Sequence, residues 1–259
     1  MQELVMEKTR EVLADAEHIV VFSGAGISKE SGLSTYREPL EGLWEKWDPQ
    51  ELATVEAMYY NPELVWTWMM HQAVTMRQAT PNPAHEAVAE MQRRLHDVRV
   101  ITQNVDDLHE RGGATVLSHL HGQIATFRCH DCQRPSPFSL EQILAQQQIT
   151  QAPTDPERLA QPLECEICTG YLRPDIVMFG EVLPQQDFTD ALTAMQQADA
   201  VISVGTSSVV QPAASLPLAA SRATLIEINP APTELSEMAD IILRAPAAEV
   251  MPQLVPARN

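Results

Sequence analysis

The sequence predicts an α/β fold in which a parallel sheet, covered by helices on both faces, carries a smaller second domain. Short apolar segments alternate with helical patterns along the chain, which is typical of parallel sheets. Two close pairs of cysteines and a stretch rich in tryptophan and methionine interrupt this alternation. A chain of 259 residues is long enough for a large domain into which a small one is inserted.

Four apolar segments predict the strands of the sheet, at residues 19–22, 98–102, 200–205 and 224–228. Helical patterns separate them, including residues 83–95 and 187–198, and residues 1–17 have amphipathic spacing. The first strand runs into Gly24-Ala25-Gly26, which is typical of a nucleotide-binding turn. The larger domain is therefore expected to be Rossmann-like, with helices on both faces of its sheet.

The two interruptions predict the smaller domain. Residues 43–78 contain "VWTWMMHQAV", which favours a buried helix. We expect the Rossmann-like domain to comprise residues 1–36, 86–121 and 174–259. The small domain then comprises the helical insertion 37–85 and the cysteine-bearing segment 122–173.

The four cysteines form two C-x2-C units, Cys129 with Cys132 and Cys165 with Cys168, separated by 32 residues. Four thiolates on two tight turns suit one tetrahedral zinc ion, and four cysteines leave no open position for catalysis, so the zinc is expected to be structural. Disulfides and a redox C-x-x-C are the alternatives. Residues 145–164, rich in Gln and Pro, predict a loop between the pairs.

The formal net charge of −18 disfavours nucleic acid and anionic membranes as partners and favours basic, lysine-bearing polypeptides. No apolar run approaches the length of a membrane span, and residues 1–17 do not resemble a secretory signal, so a cytoplasmic protein is expected. The sequence does not specify an oligomeric state and is compatible with a monomer.

Polar residues follow each predicted strand, and ligands of open α/β sheets bind at these carboxyl ends. The second strand leads into residues 103–109, the third into Gly205 with its neighbouring hydroxyl side chains, and the fourth into Asn229. Lys29 stands where the usual dinucleotide fingerprint has its third glycine. Spacing alone does not select a catalytic base among His109, His119 and His121.

Several motifs together resemble the sirtuins, the NAD-dependent protein lysine deacylases. They are residues 24–28 (GAGIS), 30–32 (ESG), 35–37 (TYR), 103–106 (QNVD), 121–122 (HG), both cysteine pairs, 173–184 (RPDIVMFGEVLP) and 205–207 (GTS). The similarity runs in order from about residue 18 to residue 250. It implies that NAD is consumed as a co-substrate and that the segment from Glu30 to Trp44 closes over it.

The resemblance also implies a set of residues that contact NAD. They are Gly24, Ala25, Gly26, Ile27, Thr35, Tyr36, Arg37, Trp44, Gln103, Asn104, Val105, Asp106, Gly205, Thr206, Ser207, Asn229, Pro230, Ala231 and Ala247. Among them Asn104 and Asp106 are implied to take part in catalysis, with Asp106 holding the nicotinamide carboxamide. His121 is implied to be the general base for a ribose hydroxyl, after the acyl oxygen has displaced nicotinamide to form an alkylamidate. The implied products are free lysine, nicotinamide and acyl-ADP-ribose.

The acyl-lysine protein or peptide is implied to pair with the segment Val177, Met178, Phe179, Gly180 and Glu181 by β-augmentation. The branch of the family that removes acidic acyl groups uses a Tyr-x-x-Arg pair, and Met69 and Gln72 stand at those positions. Because a carboxylate needs a cation there, we expect a neutral acyl substrate, unless Met69 belongs only to a core helix. Tyr36 replaces the phenylalanine of many sirtuins, and its hydroxyl is expected to alter nicotinamide inhibition.

Two other functions remain open at the level of sequence. Mono-ADP-ribosyl transfer to protein would use the same NAD site, although it has no need of a base such as His121. A zinc ribbon that binds nucleic acid or protein would favour basic neighbours, whereas Asp131, Glu164 and Glu166 flank the cysteines.

Overall fold

A computed structural model describes residues 2–34, 48–155 and 158–256. The helices are α1 (Gln2–Asp15), α2 (Pro49–Leu52), α3 (Val55–Tyr60), α4 (Pro62–Gln78), α5 (Pro83–Arg94), α6 (Leu108–Arg111), α7 (Leu140–Gln146), α8 (Gln185–Gln197) and α9 (Ala247–Leu254). The strands are β1 (His18–Ser23), β2 (Asp97–Thr102), β3 (Val116–His119), β4 (Gly122–Cys129), β5 (Leu172–Ile176), β6 (Ala200–Val204), β7 (Thr224–Ile228) and β8 (Ile241–Leu243). Short 3₁₀ helices lie at Ala25–Ser31 and Ala213–Ala219.

The larger sheet has six strands in the order β3-β2-β1-β6-β7-β8, and all its pairings are parallel. The four predicted strands form its centre, which confirms the predicted parallel sheet. The edge strands β3 and β8 were not predicted. Strand order reverses between β1 and β6, and the crevice outside the carboxyl ends of such strands is where open α/β sheets bind ligands.

The central strands are apolar because both faces of the sheet are buried. In β1, Ile19 and Val21 pack into one hydrophobic cluster, with residues of α1, α5 and α9. Val20 and Phe22 point to the opposite face and pack with residues of α8. Side chains alternate between the two faces of a strand, so a continuous apolar run is what two covered faces require.

A second sheet, in which β4 pairs with β5 in antiparallel register, lies on a separate hydrophobic cluster. Trp66 and Trp68 of α4 are fully buried in that cluster, which confirms the predicted buried helix. The predicted division of the chain into two domains stays a prediction. β5 crosses one of its boundaries, between residues 173 and 174, because its pairing with β4 continues to Ile176.

The Gln-rich stretch between the cysteine pairs begins in α7 and continues without regular structure in its described part. It packs against α4. The indole N–H of Trp66 donates to Gln147 Oε1 at 2.9 Å, and the Ala160 N–H donates to Thr67 Oγ1 at 2.8 Å. The loop is thus held on the core helix of the second sheet.

In the part of the chain that the structure describes, no helix has the combined length and apolar character that crossing a bilayer requires. The 17-residue α4 falls short of the ~20 residues of a typical span.

Candidate functional site

Two turns pack against each other at the point where strand order reverses. The turn after β1 donates a hydrogen bond from the Gly26 N–H to the carbonyl of Gly205, after β6, at 2.7 Å. A Cβ on Gly26 would lie 2.6 Å from that carbonyl oxygen, and one on Gly24 would lie 2.8 Å from Thr206 Cβ. Gly205 has a φ of +63°. The contact between the two turns therefore requires these glycines, whether or not a ligand is bound.

Thr206 brings three strand ends together. Its hydroxyl accepts a hydrogen bond from Gln103 Nε2 at 3.0 Å, and its carbonyl accepts one from Asn229 Nδ2 at 2.9 Å. Asn229 Oδ1 in turn accepts from the Ala231 N–H at 3.2 Å. The polar residues predicted after β2, β6 and β7 thus surround one crevice.

Ser28 links the two polar side chains that follow β2. Asn104 Nδ2 donates to Ser28 Oγ at 3.2 Å, and Ser28 Oγ donates to Asp106 Oδ2 at 3.0 Å. His85 Nε2 lies 3.4 Å from the same hydroxyl. Ser28 and His85 were not among the predicted site residues. Ser28 ends the GAGIS motif, residues 24–28, and His85 ends the segment PNPAH, residues 81–85.

Asp106 is a buried carboxyl group, 7% exposed. Burial raises its pKa above the usual value, while hydrogen bonds from Leu108 N and Ser28 Oγ oppose that change. These two donors fix the orientation of the carboxyl group.

The structure distinguishes His109, His119 and His121, which sequence spacing alone did not. His109 is buried, its Nε2 lies 2.9 Å from Ser23 Oγ, and burial lowers its pKa to about 3. His119 Nε2 is paired with Glu110 Oε1 at 2.7 Å. Burial also lowers the pKa of His85, to about 4, so His85 and His109 are neutral structural groups near neutral pH.

His121 has the arrangement of a general base. Its Nδ1 lies 2.9 Å from the carbonyl oxygen of Gln103, and because a carbonyl only accepts, the proton is on Nδ1. The neutral ring therefore presents an unprotonated Nε2. Burial lowers the pKa of His121, against a smaller opposing effect of the bond to Gln103, which favours the neutral form.

The predicted substrate segment, residues 177–181, follows β5 and is held by backbone hydrogen bonds to two other parts of the chain. The Val177 N–H donates to the carbonyl of His121 at 2.9 Å, and the Phe179 N–H donates to that of Ala53 at 2.7 Å. Phe179 is exposed. The carboxylate of Glu181 accepts hydrogen bonds from Arg173, Arg128 and the Met178 N–H. The predicted contact of Glu181 with substrate stays a prediction.

The two positions predicted to determine acyl preference lie one turn apart on α4. Met69 is fully buried in the cluster of the second sheet, which also contains Met178. Gln72 is half-buried. Their contact with an acyl chain stays a prediction.

Four predicted NAD contacts, Thr35, Tyr36, Arg37 and Trp44, lie outside the described residues, as does most of the segment predicted to close over NAD. The side chain of Ala247, at the start of α9, is buried in the core of the larger sheet.

The four cysteine sulfurs converge, all within 4.8 Å of one another. The Sγ atoms of Cys129 and Cys168 are 3.4 Å apart, and those of Cys132 and Cys165 are 3.8 Å apart. A tetrahedron with Zn–S bonds of about 2.3 Å has edges of about 3.8 Å, so the sulfurs fit zinc. The distances are much longer than the ~2 Å of a disulfide.

Each cysteine pair lies on a similar tight turn. The residue after each pair, Gln133 or Thr169, has a left-handed φ of 60° or 59°. The Cys132 N–H donates to Cys129 Sγ at 3.4 Å. The fold thus positions both pairs around one metal site, and the redox and disulfide alternatives do not explain their convergence.

Comparison with known proteins identifies the family. A model of the Sir2 family matches residues 24–212. The chain belongs to the Sir2 family. A relative named "NAD-dependent protein deacylase 2" from Corynebacterium efficiens is 43% identical over 249 residues, which cover 94% of each chain.

Solved structures of Sir2 proteins agree with this assignment. A crystal structure of a Sir2 homologue in complex with NAD superposes with a TM-score of 0.84 at 40% identity, over 96% of this chain and 92% of that one. A Sir2 complex with a p53 peptide and NAD+ has a TM-score of 0.81 at 29% identity, over 95% of both chains. The sirtuin resemblance and the predicted fold class are confirmed.

The crevice of this Sir2 chain has the unpaired polar groups that an NAD site needs. Asn104 Oδ1 and Ser208 Oγ are buried and have no hydrogen-bond partner among the described residues. Buried polar atoms are rarely left unpaired unless a ligand or water completes them. These atoms and the closely packed glycine turns fit a nucleotide bound where strand order reverses, between β1 and β6.

Proposed function

We propose that this chain is an NAD-dependent protein lysine deacylase that releases free lysine, nicotinamide and O-acyl-ADP-ribose. One observation carries the proposal within the family. His121 presents an unprotonated Nε2 beside residues 103–106, at the ligand-binding edge of the sheet. The substrate partner is an acyl-lysine protein or peptide, which the segment after β5 would receive.

Different residues of the crevice would have different roles in the reaction. NAD supplies, at its nicotinamide ribose, the carbon that accepts the acyl oxygen. Asn104 and Asp106, tied together by Ser28, would orient the nicotinamide ribose and carboxamide. His121 would accept the proton of a ribose hydroxyl at Nε2, while its Nδ1–H stays bound to Gln103 and keeps the ring oriented.

The alternative is mono-ADP-ribosyl transfer to protein. Nicotinamide release distinguishes the two when it is measured with matched acetylated and unmodified lysine peptides. A deacylase releases nicotinamide in proportion to the lysine it frees and needs the acetyl group. Release that proceeds equally with the unmodified peptide would support the transferase.

We propose further that the acyl group is neutral. Neither Met69 nor Gln72 supplies a cation, and a charge-assisted hydrogen bond to a carboxylate is worth about 1.5–3 kcal/mol. We therefore expect kcat/KM for an acetyl-lysine peptide to exceed that for its succinyl counterpart by roughly tenfold or more. Gln72→Arg should raise succinyl turnover relative to acetyl turnover.

Gln78→Arg, at the exposed end of the same helix, is the matched control and should leave the preference unchanged. Similar turnover of both peptides by the unmodified protein would contradict the neutral-acyl proposal.

We expect Gly26→Ala to weaken NAD binding together with stability. The new methyl group meets the Gly205 backbone, and such overpacking costs about 1–3 kcal/mol and separates the two turns. Gly113→Ala is the control, since Gly113 also needs special backbone freedom, with a φ of +93°, but a Cβ there meets only ordinary contacts at 3.7 Å. It should lower thermal stability and leave NAD affinity, measured by calorimetry, unchanged. Equal NAD affinity of Gly26→Ala and the unmodified protein would refute this account of the turns.

A further inference from the structure

The carboxylate of Glu181 is enclosed by donors from its own chain. Arg173 Nη2 donates to Oε1, and Oε2 accepts from Arg128 Nη2 at 3.1 Å and from the Met178 N–H at 2.9 Å. The Glu181 side chain is 17% exposed and that of Arg173 is 0% exposed. A carboxylate with three internal donors, one of them fully buried, is part of the framework.

Glu181 balances two like charges. Arg128 of β4 and Arg173 of β5 stand directly opposite each other in the antiparallel register. Like charges in that position destabilise a strand pair. Asp175 Oδ1 lies 3.0 Å from Arg128 Nε. The buried guanidinium of Arg173 forms its ion pair with Glu181 and also donates to the carbonyl of Ile176 at 2.8 Å. Burial lowers the pKa of Arg173, and the charge of Glu181 opposes that change.

The same carboxylate completes the hydrogen bonding of the substrate segment, residues 177–181. The N–H groups of Val177 and Phe179 donate to the carbonyls of His121 and Ala53. The intervening N–H of Met178 points to the other side, as alternation in an extended chain requires, and donates to Glu181 Oε2. Glu181 N donates back to the Met178 carbonyl at 3.0 Å. One carboxylate therefore joins the substrate segment to both strands of the second sheet, β4 and β5.

We infer that Glu181 is a positioning residue for the acyl-lysine peptide. Its carboxylate fixes the substrate segment against β4 and β5 and does not itself touch the peptide. The inference rests on the proposed deacylase function. A carboxylate in direct contact with the peptide would favour basic residues beside the acyl-lysine. A carboxylate that only anchors the substrate segment should affect the binding of all peptides alike.

The test is steady-state kinetics of Glu181→Gln with two acetyl-lysine peptides, one with basic and one with uncharged flanking residues. We expect the KM for both peptides to rise by roughly tenfold, below the ~100-fold that a misplacement of 1 Å can cost. The KM for NAD should change by less than about twofold, because the NAD crevice is held by other contacts. A rise confined to the basic peptide, or equal rises for peptide and NAD, overturns the inference.

A second variant separates positioning from simple loss of stability. In Glu181→Gln/Arg128→Gln one positive charge is removed with the negative one, so much of the thermal stability should return. The peptide KM should stay high, because the Met178 N–H still lacks its carboxylate. Recovery of both the thermal stability and the peptide KM would show that the uncompensated positive charge alone caused the effects of Glu181→Gln.

Hydrogen exchange provides a measurement that does not depend on activity. The fragment containing residues 177–181 should exchange faster in Glu181→Gln, with β6 unchanged. Glu141→Gln is the matched control, since Glu141 forms an exposed ion pair with Arg77 at 3.5 Å, and it should leave exchange and both KM values unchanged. If the unmodified protein deacylates neither peptide, the proposed function fails; if it does and Glu181→Gln behaves identically, only this inference fails.

Discussion

Replacing His121 with alanine is expected to lower NAD-dependent removal of the acyl group by about 10²- to 10⁴-fold, the usual contribution of a general base. The rate should fall because the variant lacks Nε2, the ring nitrogen that the hydrogen bond between Nδ1 and Gln103 leaves unprotonated. The measurement is single-turnover deacylation of an acetyl-lysine peptide. NAD affinity and thermal stability should change little, since the ring makes a single hydrogen bond to the protein in the described structure.

In the proposed mechanism the base acts after nicotinamide has left, and nicotinamide exchange tests that order. Exchange of labelled nicotinamide into NAD, in the presence of the acetylated peptide, should survive in His121→Ala. His96→Ala, which removes an exposed histidine, is the matched control and should retain full activity. Loss of exchange together with deacylation would instead assign His121 to an earlier step.

The same histidine sets the expected pH dependence. Burial lowers its pKa below the usual 6.5, and the base is competent only when neutral. The acid limb of kcat/KM, measured with excess NAD, should therefore have its midpoint below 6.5. An acid limb above 6.5 would mean that another group titrates or that the imidazole is stabilised as a cation.

Removing a zinc ligand is expected to have the largest effect on stability. Purified protein should contain one zinc per chain, and Cys129→Ser should lose it. Structural zinc sites contribute roughly 10 kcal/mol or more of binding free energy, as large as the whole stability of many domains. The variant should lose protection from proteolysis around β4, β5 and the loop between the cysteine pairs.

The control for this prediction lies within the same turn. His130 stands between Cys129 and Cys132, but the converging group consists of the four sulfurs without it. His130→Ala should therefore keep its zinc. Fewer than four reactive thiols in the denatured, chelator-treated protein would favour disulfides, and zinc lost from His130→Ala would revise the ligand set.

The central strands and the zinc site could be predicted because their signals are local. In a strand such as β1, which is buried on both faces, residues 19–22 form a continuous apolar run. Each cysteine pair has its own recognisable spacing. β8 has only three residues, too few for a pattern. In β4 the pairing with β5 shifts between Gln123 and Phe127, which interrupts the alternation that would have revealed a strand.

The connections within the site could not be predicted, because they depend on pairings between distant residues. The resemblance placed Glu181 at the substrate, yet its partner Arg128 is 53 residues away and becomes its neighbour only through the β4–β5 register. Likewise the need for Gly26 follows from the distance to Gly205, which no local pattern contains. Ser28 was visible in its motif, but its link to both Asn104 and Asp106 is a matter of three-dimensional geometry.

The fate of the acyl group tests the proposed function most directly. An acetyl-lysine peptide labelled with ¹³C in the acetyl group, incubated with the purified protein and NAD, can be followed by mass spectrometry of every product. A deacylase of this kind transfers the label to ADP-ribose and leaves free lysine and nicotinamide in equal amounts. Label that stays on the peptide while NAD is consumed, or ADP-ribose that becomes attached to the peptide, would contradict the account.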